Sequence, residues 1–291
     1  MTVLAKTLGH KHGVLIIFAL SVAVFFFCIN HNVGNKFNTD MISSSEKLMA
    51  NNIRSNDKSS EVKGTRIATL GKSQANTMTN VRMAQHSELV QQLSTYGHSF
   101  KITRNSNFNR SYGLSKLWTE FGYTKGAEVA VWKGNFSWYV LGKMPTLTSY
   151  VLVDSWRHLD NWNKPWNKDN DEFEAVFQTA MENTKTFRDA GICSVVRGTN
   201  VEAAPQIPDA SLDFVYLDGD HTLRGIMFDL YLYVPKVRPG GMVCGDDYTF
   251  GQHGDRFDPT MVKPYVDLYG ELHHLSIVDL GENQFCFIVP P

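Results

Sequence analysis

LDFVYLDGDHTLRGIMFDLYLYVPKVRPGGMVCGDDY, residues 212–248, is the stretch whose reading decides the fold. Leu212–Leu217 is a short, mostly apolar stretch with Asp213 its one charged residue, followed by Asp218-Gly-Asp220-His221. That reads as a strand with an acidic end. Leu223–Val234 has helical character, and Met242–Cys244 is a second apolar run ending in Asp246-Asp247. A strand, a helix and a second strand make a crossover unit, whose strands run parallel. If the two strands are neighbours, Asp218 and Asp246 lie roughly 5 Å apart at one sheet edge.

The same alternation continues on both sides. Ala127–Val131, Tyr150–Val153 and Ile192–Val196 read as strands; Phe136–Gly142, Asp171–Ala190 and Thr260–Leu268 read as helices. Glu88–Tyr96 and Ser111–Gly122 read as short helices ahead of the first strand. His274–Asp279 and Gln284–Val289, separated by Gly281-Glu-Asn, read as a closing antiparallel hairpin. The expected fold is α/β: a Rossmann-like, doubly wound, mostly parallel sheet with a C-terminal antiparallel hairpin. Ligands of such sheets sit outside the carboxyl ends of the strands.

What the strands deliver there is polar. The first ends in Gly126-Ala-Glu-Val-Ala-Val-Trp-Lys-Gly134-Asn-Phe-Ser137, a strand, a glycine turn and a helix start, where backbone N–H groups can approach a ligand. GxGxxG is missing, which disfavours a nicotinamide dinucleotide oxidoreductase. Asp154 ends the second strand, 20 residues after Gly134. A carboxylate there can accept from both hydroxyls of a ribose, or it can cap a turn. Asp218, Asp220, Asp246 and Asp247 would repel one another unless a positive group intervenes, and a divalent cation is one solution. The alternative is that Asp220 or Thr222 caps the helix starting near Leu223. Three tryptophans, Trp156, Trp162 and Trp166, crowd the loop after the second strand; they either pin the loop or stack on a ligand.

The chain of 291 residues has a formal net charge of −1, so no basic excess points to nucleic acid. Its four cysteines, Cys28, Cys193, Cys244 and Cys286, show no zinc spacing and read as buried apolar groups; Cys244 and Cys286 can pair if their strands are neighbours. Val14–Ile29 is apolar except for Ser21, with Lys6 and Lys11 before it. It reads as a transmembrane signal anchor at 14–29 after a cytosolic tail at 1–13, placing the remainder in an ER- or Golgi-type lumen; a cleaved signal and secretion is the alternative. Residues 30–86, rich in Asn, Ser, Thr and Lys, read as a disordered stem, and 87–291 as the catalytic domain.

Taken together, these motifs resemble class I S-adenosylmethionine-dependent methyltransferases of the Methyltransf_24 type. Glu128–Ser137 is similar to that family's E-V-G-V-x-x-G-x-[FS]-S loop, and Asp154-Ser-Trp156 to its D-x-W. Ser211–His221 and Val237–Tyr248 are similar to its S-x-D-F-V-x-x-D-x-x-H and V-R-P-G-G-x-x-x-x-D-Y blocks. The resemblance implies a seven-stranded sheet and S-adenosylmethionine held by Glu128, Ala130, Gly134, Ser137, Asp154 and Asp218, with Gly198, Thr199 and Asn200 near the adenine. Likeness to macrocin-type and catechol O-methyltransferases implies Asp218, Asp246 and Asp247 as ligands of a divalent ion such as Mg2+. It also implies Asp220 as base, with His221 the alternative. The acceptor implied is a small-molecule or glycan hydroxyl. A membrane-tethered, non-catalytic binding module is the competing reading, because Ala130 replaces the loop's usual first glycine. Asn135-Phe-Ser137 is also a glycosylation sequon within the cofactor loop.

Overall fold

A computed structural model describes residues 64–102, 110–162, 164–248 and 261–291. By internal contacts the chain divides into Met1–Thr69 and Leu70–Pro291; of the first unit, only 64–69 are described. The elements are α1 (Gly64–Ile102), α2 (Arg110–Glu120), β1 (Lys125–Val129), α3 (Asn135–Lys143), β2 (Ser149–Asp154) and α4 (Asn170–Asp189). They continue with β3 (Cys193–Arg197), α5 (Asn200–Ala203), β4 (Leu212–Leu217), α6 (Leu223–Tyr233), β5 (Val237–Gly245), α7 (Val262–His273), β6 (Val278–Gly281) and β7 (Gln284–Ile288).

The strands form one seven-stranded sheet in the order β3-β2-β1-β4-β5-β7-β6. The first five run parallel, and β7 pairs antiparallel with both β5 and β6. The expected fold class is therefore the observed one. Its order reverses between β1 and β4, which places a ligand crevice outside the carboxyl ends of those strands.

Every residue of β4 is buried because both faces of the sheet are covered. Phe214 and Tyr216 pack on one face, where Trp118 of α2 stacks 4.0 Å from Phe214 and Phe136 of α3 stacks 4.3 Å from Tyr216. Val215 and Leu217 pack on the other, with Leu230 and Tyr233 of α6. Alternate residues of a strand face opposite ways, so the apolar residues of β4 seal both layers, while Asp213 near its start is hydrogen-bonded instead. Burial of each such side chain contributes about 2–3 kcal/mol. Gly126 is small for the same reason: a Cβ there would enter the Phe214 ring.

Cys244 and Cys286 lie directly opposite in the β5–β7 ladder and are joined by a disulfide. This is the pairing that neighbouring strands allow. Cys193 is buried and free.

Two readings change. Helix α1 begins at Gly64, inside the segment expected to be a disordered stem, and is far longer than the short helix expected at Glu88–Tyr96. The membrane localisation is corrected: among the described residues no helix is long and apolar enough to cross a membrane, so nothing supports an anchored placement. The run at 14–29 lies outside the described residues.

Candidate active site at the carboxyl ends of the parallel strands

At the end of β1, Glu128 is 2% exposed. It accepts a short hydrogen bond from Ser137 Oγ at the start of α3 and a longer one, 3.4 Å, from the Tyr150 hydroxyl. Burial pushes its carboxyl up to about 8, against the pull of Ser137, Arg110 and Tyr150. The loop that follows has positive φ at Ala130 (69°), Trp132 (56°) and Gly134 (71°). The first of these explains the resemblance's glycine at position 130, since the left-handed region costs an L-residue free energy.

Asp154 ties this loop to β2. Its Oδ2 accepts from the Trp132 N–H at 2.9 Å, and its Oδ1 from the Trp156 N–H at 2.9 Å. The buried Trp156 indole then donates to the Trp132 carbonyl at 2.8 Å. The D-x-W motif is thus a lock between two loops. Trp156 pins its loop, as the plainer reading held, whereas Trp166 is exposed. The backbone N–H groups of Val131 and Ser155 also act on this carboxylate, so four backbone donors draw its pKa down while burial, the larger effect, leaves it raised.

After β3, Gly198 donates its N–H to the Asp154 carbonyl at 2.9 Å, drawing this loop beside the first two. Thr199 caps α5 through a reciprocal pair with Glu202, so its hydroxyl is engaged in the fold. Asn200 donates from Nδ2 to the buried Asp229 of α6, whose carboxyl burial raises to about 7.

The ends of β4 and β5 hold the acids. Leu217 and Gly245 are in register, so Asp218 and Asp246 leave the sheet side by side. Between them sits a residue the sequence did not mark, Arg110 of α2. Its Nη1 is 3.0 Å from Asp218 Oδ2 and also contacts Asp246 Oδ2. Its guanidinium lies over the rings of Phe136 and Tyr216, at 5.6 and 5.9 Å. Asp246 Oδ1 accepts from Gln284 Nε2 and from the Asp247 N–H at 2.9 Å. Asp247, with φ of 57°, turns instead to His221, its Oδ2 lying 2.6 Å from Nε2. Burial lowers the His221 pKa, but the hydrogen bond and charge of Asp247, with Asp218 and Asp220, outweigh it and leave it raised. Asp220 accepts from both the hydroxyl (2.6 Å) and the N–H (3.2 Å) of Thr222. Thr222 in turn caps α6 by accepting from the Gly225 N–H.

The family model described as a methyltransferase domain matches residues 127–248, from β1 to just past the end of β5. Residues 127–248 are thus similar to a methyltransferase domain of that family. Among curated proteins none is similar enough in sequence to match. Several solved structures are similar in shape. A candidate caffeoyl-CoA O-methyltransferase from Staphylococcus aureus is 12% identical, with a TM-score of 0.48 over 73% of this chain and 99% of its own. The O-methyltransferase TomG from Streptomyces achromogenes, in complex with S-adenosylmethionine, is 14% identical, with 0.43 over 73% and 97%. An O-methyltransferase from Bacillus cereus, in complex with S-adenosylhomocysteine, is 14% identical, with 0.42 over 74% and 99%. Nothing about substrate follows from likeness at this level.

In the methyltransferase domain the loops carrying Glu128, Ala130, Gly134, Ser137, Asp154 and Gly198 adjoin one another, and Asp218 is hydrogen-bonded through its N–H to the Val129 carbonyl. The expected metal set is divided between two protein partners, Arg110 and His221. Asp246 is held by Arg110 and Gln284 and shares that arginine with Asp218; Asp218, Asp247 and His221 form a second group, with donor atoms within 4.8 Å of one another. Even these are paired already, with Arg110 and with each other. The residues present therefore do not fit the Mg2+ site that the resemblance implied.

Arg110, Gln284 and Asp229 were missed by sequence reasoning. Asp229 had a signal, since it falls on the same face of α6 as the buried Ile226, Leu230 and Tyr233. Gln284 opens an otherwise apolar strand. Arg110 had none.

Proposed function

We propose that the domain transfers a methyl group from S-adenosylmethionine to an oxygen nucleophile, with His221 as general base. The observation that carries the choice of base is the His221–Asp247 pair at 2.6 Å beside Asp218. Asp220, the competing base, has both carboxylate oxygens engaged by Thr222. With Nε2 donating to Asp247, Nδ1 is the ring atom that can take the acceptor's proton. S-adenosylmethionine supplies a methyl group on a sulfonium; as the acceptor oxygen takes it, the C–S electron pair stays with sulfur.

The donor set fits a cationic cofactor. Glu128 is a buried carboxyl whose desolvation Arg110 does not offset, and a positive charge brought beside it would restore its ionised form. The left-handed turns at Ala130, Trp132 and Gly134 shape the loop over which the cofactor would lie. Asp154 is the candidate for its ribose, and Asn200 with Asp229 line the adenine side. The acceptor proposed is a small-molecule or sugar hydroxyl.

Calorimetric titration with S-adenosylmethionine tests the reading, and absence of binding would sink it. With an acceptor in hand, His221→Gln should lower kcat about 100-fold or more. The raised His221 pKa makes the wild-type rate climb with pH through a midpoint above 6.5, the base being active only when neutral. Asp247→Asn should move that midpoint down. An unshifted profile would assign the base elsewhere.

A further inference from the structure

The acidic edge has its own cation. Asp218 and Asp246 project from adjacent, in-register strand ends, and the Arg110 guanidinium reaches both. Four features hold it there. The rings of Phe136 and Tyr216 lie against it, so its position does not depend on the acids alone. Asp246 has its other oxygen engaged by Gln284 and the Asp247 N–H, so its carboxylate is fixed in the orientation that meets the arginine. Tyr216, beneath the guanidinium, is itself held by a 2.8 Å hydrogen bond to Gln284. Asp247 pairs with His221, and Asp218 and Asp246 are the carboxylates that meet the guanidinium directly.

From this we infer that Arg110 is the resident positive charge of the site and that methyl transfer in this domain needs no divalent metal. The inference rests on the methyltransferase reading for the reaction, but the occupancy of the acidic edge is a property of the protein alone. A divalent ion placed on Asp218 and Asp246 would meet a guanidinium already there, and like charges at that range exclude one another. Arg110 can also perform the electrostatic part of a metal's task. Its side chain is 35% exposed and carries five N–H donors in a planar fork. Those not spent on the two aspartates can donate to an acceptor oxygen and favour its deprotonated form, while His221 receives the proton. No atom or electron is required beyond the acceptor, the methyl donor and the base.

Titrating the full chain with Mn2+ alone, read by electron paramagnetic resonance of the free ion and without cofactor, tests this apart from the reaction. Wild type should hold no Mn2+ at micromolar concentrations. Arg110→Gln should uncover the carboxylates and bind one ion roughly tenfold or more tightly than wild type does. Arg110→Lys, which keeps the charge, should behave as wild type. Tight Mn2+ binding by wild type overturns the inference, as does an Arg110→Gln protein that folds and gains no site. Should Arg110→Gln fail to fold, Arg110→Met, which keeps an unbranched apolar stem against the two rings, gives the same comparison, and the wild-type arm stands whatever the variants do. Failure of the methyltransferase reading would show separately, as an absence of S-adenosylmethionine binding with the Mn2+ results unchanged.

Discussion

Strand β4 carries an aspartate near each end, and their surroundings differ. At the amino end, Asp213 Oδ2 accepts the N–H groups of Thr124 and Lys125 at 2.7 and 2.9 Å, and Oδ1 accepts from Arg238 Nε at 2.6 Å. Burial acts to raise its pKa, but the backbone donors and Arg238 prevail and leave it lowered. At the carboxyl end, Asp218 has the Arg110 guanidinium as its charged partner, and burial pushes its pKa up despite that partner. The first carboxylate is satisfied by backbone groups at the start of β1 and by Arg238 of β5. The second is satisfied by a side chain that can re-pair with a ligand. A polar group tied to backbone stabilises the sheet; a polar group tied to a side chain that keeps donors to spare is available for chemistry.

Separating the two ends by mutation is the largest test of that contrast. Asp213→Ala leaves two backbone N–H groups without their acceptor and should lower stability by about 2–3 kcal/mol in urea denaturation. Arg238 is too exposed for its ion pair to add much. Asp218→Asn should cost less than about 1 kcal/mol and instead impair cofactor binding and turnover. Because the Asp213 pKa is lowered, its contribution is present above the unfolded value near 3.8 and fades as pH falls through the folded one. Equal losses of stability in the two variants would erase the distinction.

A second test sharpens it at β1. Glu128 has an ordinary value of 4.5 and a folded value of about 8. Between those limits the folded protein keeps a proton that the unfolded chain has released, so stability falls as pH rises from about 4.5 to 8. Glu128→Gln should remove that slope. Thermal midpoints taken at pH 5, 6.5 and 8 should fall in wild type and change less in the variant. Parallel curves would mean that Glu128 is ionised in the folded protein.

The same contrast explains what was legible in the sequence. Strand β4 was readable residue for residue, because Leu212–Leu217 is apolar apart from Asp213 and bounded by polar turns. Strand β5 was read as starting at Met242, just after Pro239-Gly240-Gly241. It starts at Val237, and the glycines instead serve an irregularity: the register with β4 shifts between Leu212 and Phe214, and Gly240 has φ of 77°. Helix α1 was illegible over most of its length, as its residues are polar and Met78, Val81 and Met83 are exposed; Leu93 is its anchor in the core. The acids at the strand ends were visible as types and spacing, but their pairing was not. Which carboxylate meets His221, and which meets Arg110, depends on the direction of the chain after Asp246 and on a helix that precedes the whole sheet.

The smallest effect concerns Ala130, the position where the chain departs from the family pattern. Its φ of 69° lies in the left-handed region, which costs an alanine about 1–2 kcal/mol. Glycine adopts it without that cost but loses more freedom on folding, about 0.5–1 kcal/mol. Ala130→Gly should therefore stabilise the domain by roughly 0.5–1 kcal/mol in urea denaturation, the difference of the two terms. The Ala130 N–H donates to the Val153 carbonyl at 2.7 Å and holds the turn in either variant, so its shape should persist. Cofactor affinity then separates two readings of the methyl group. If S-adenosylmethionine binds both proteins alike, Ala130 is a stability cost that the active loop carries. If the glycine variant binds much more tightly, the methyl group stands in the cofactor's way, and the binding-module reading gains ground over catalysis.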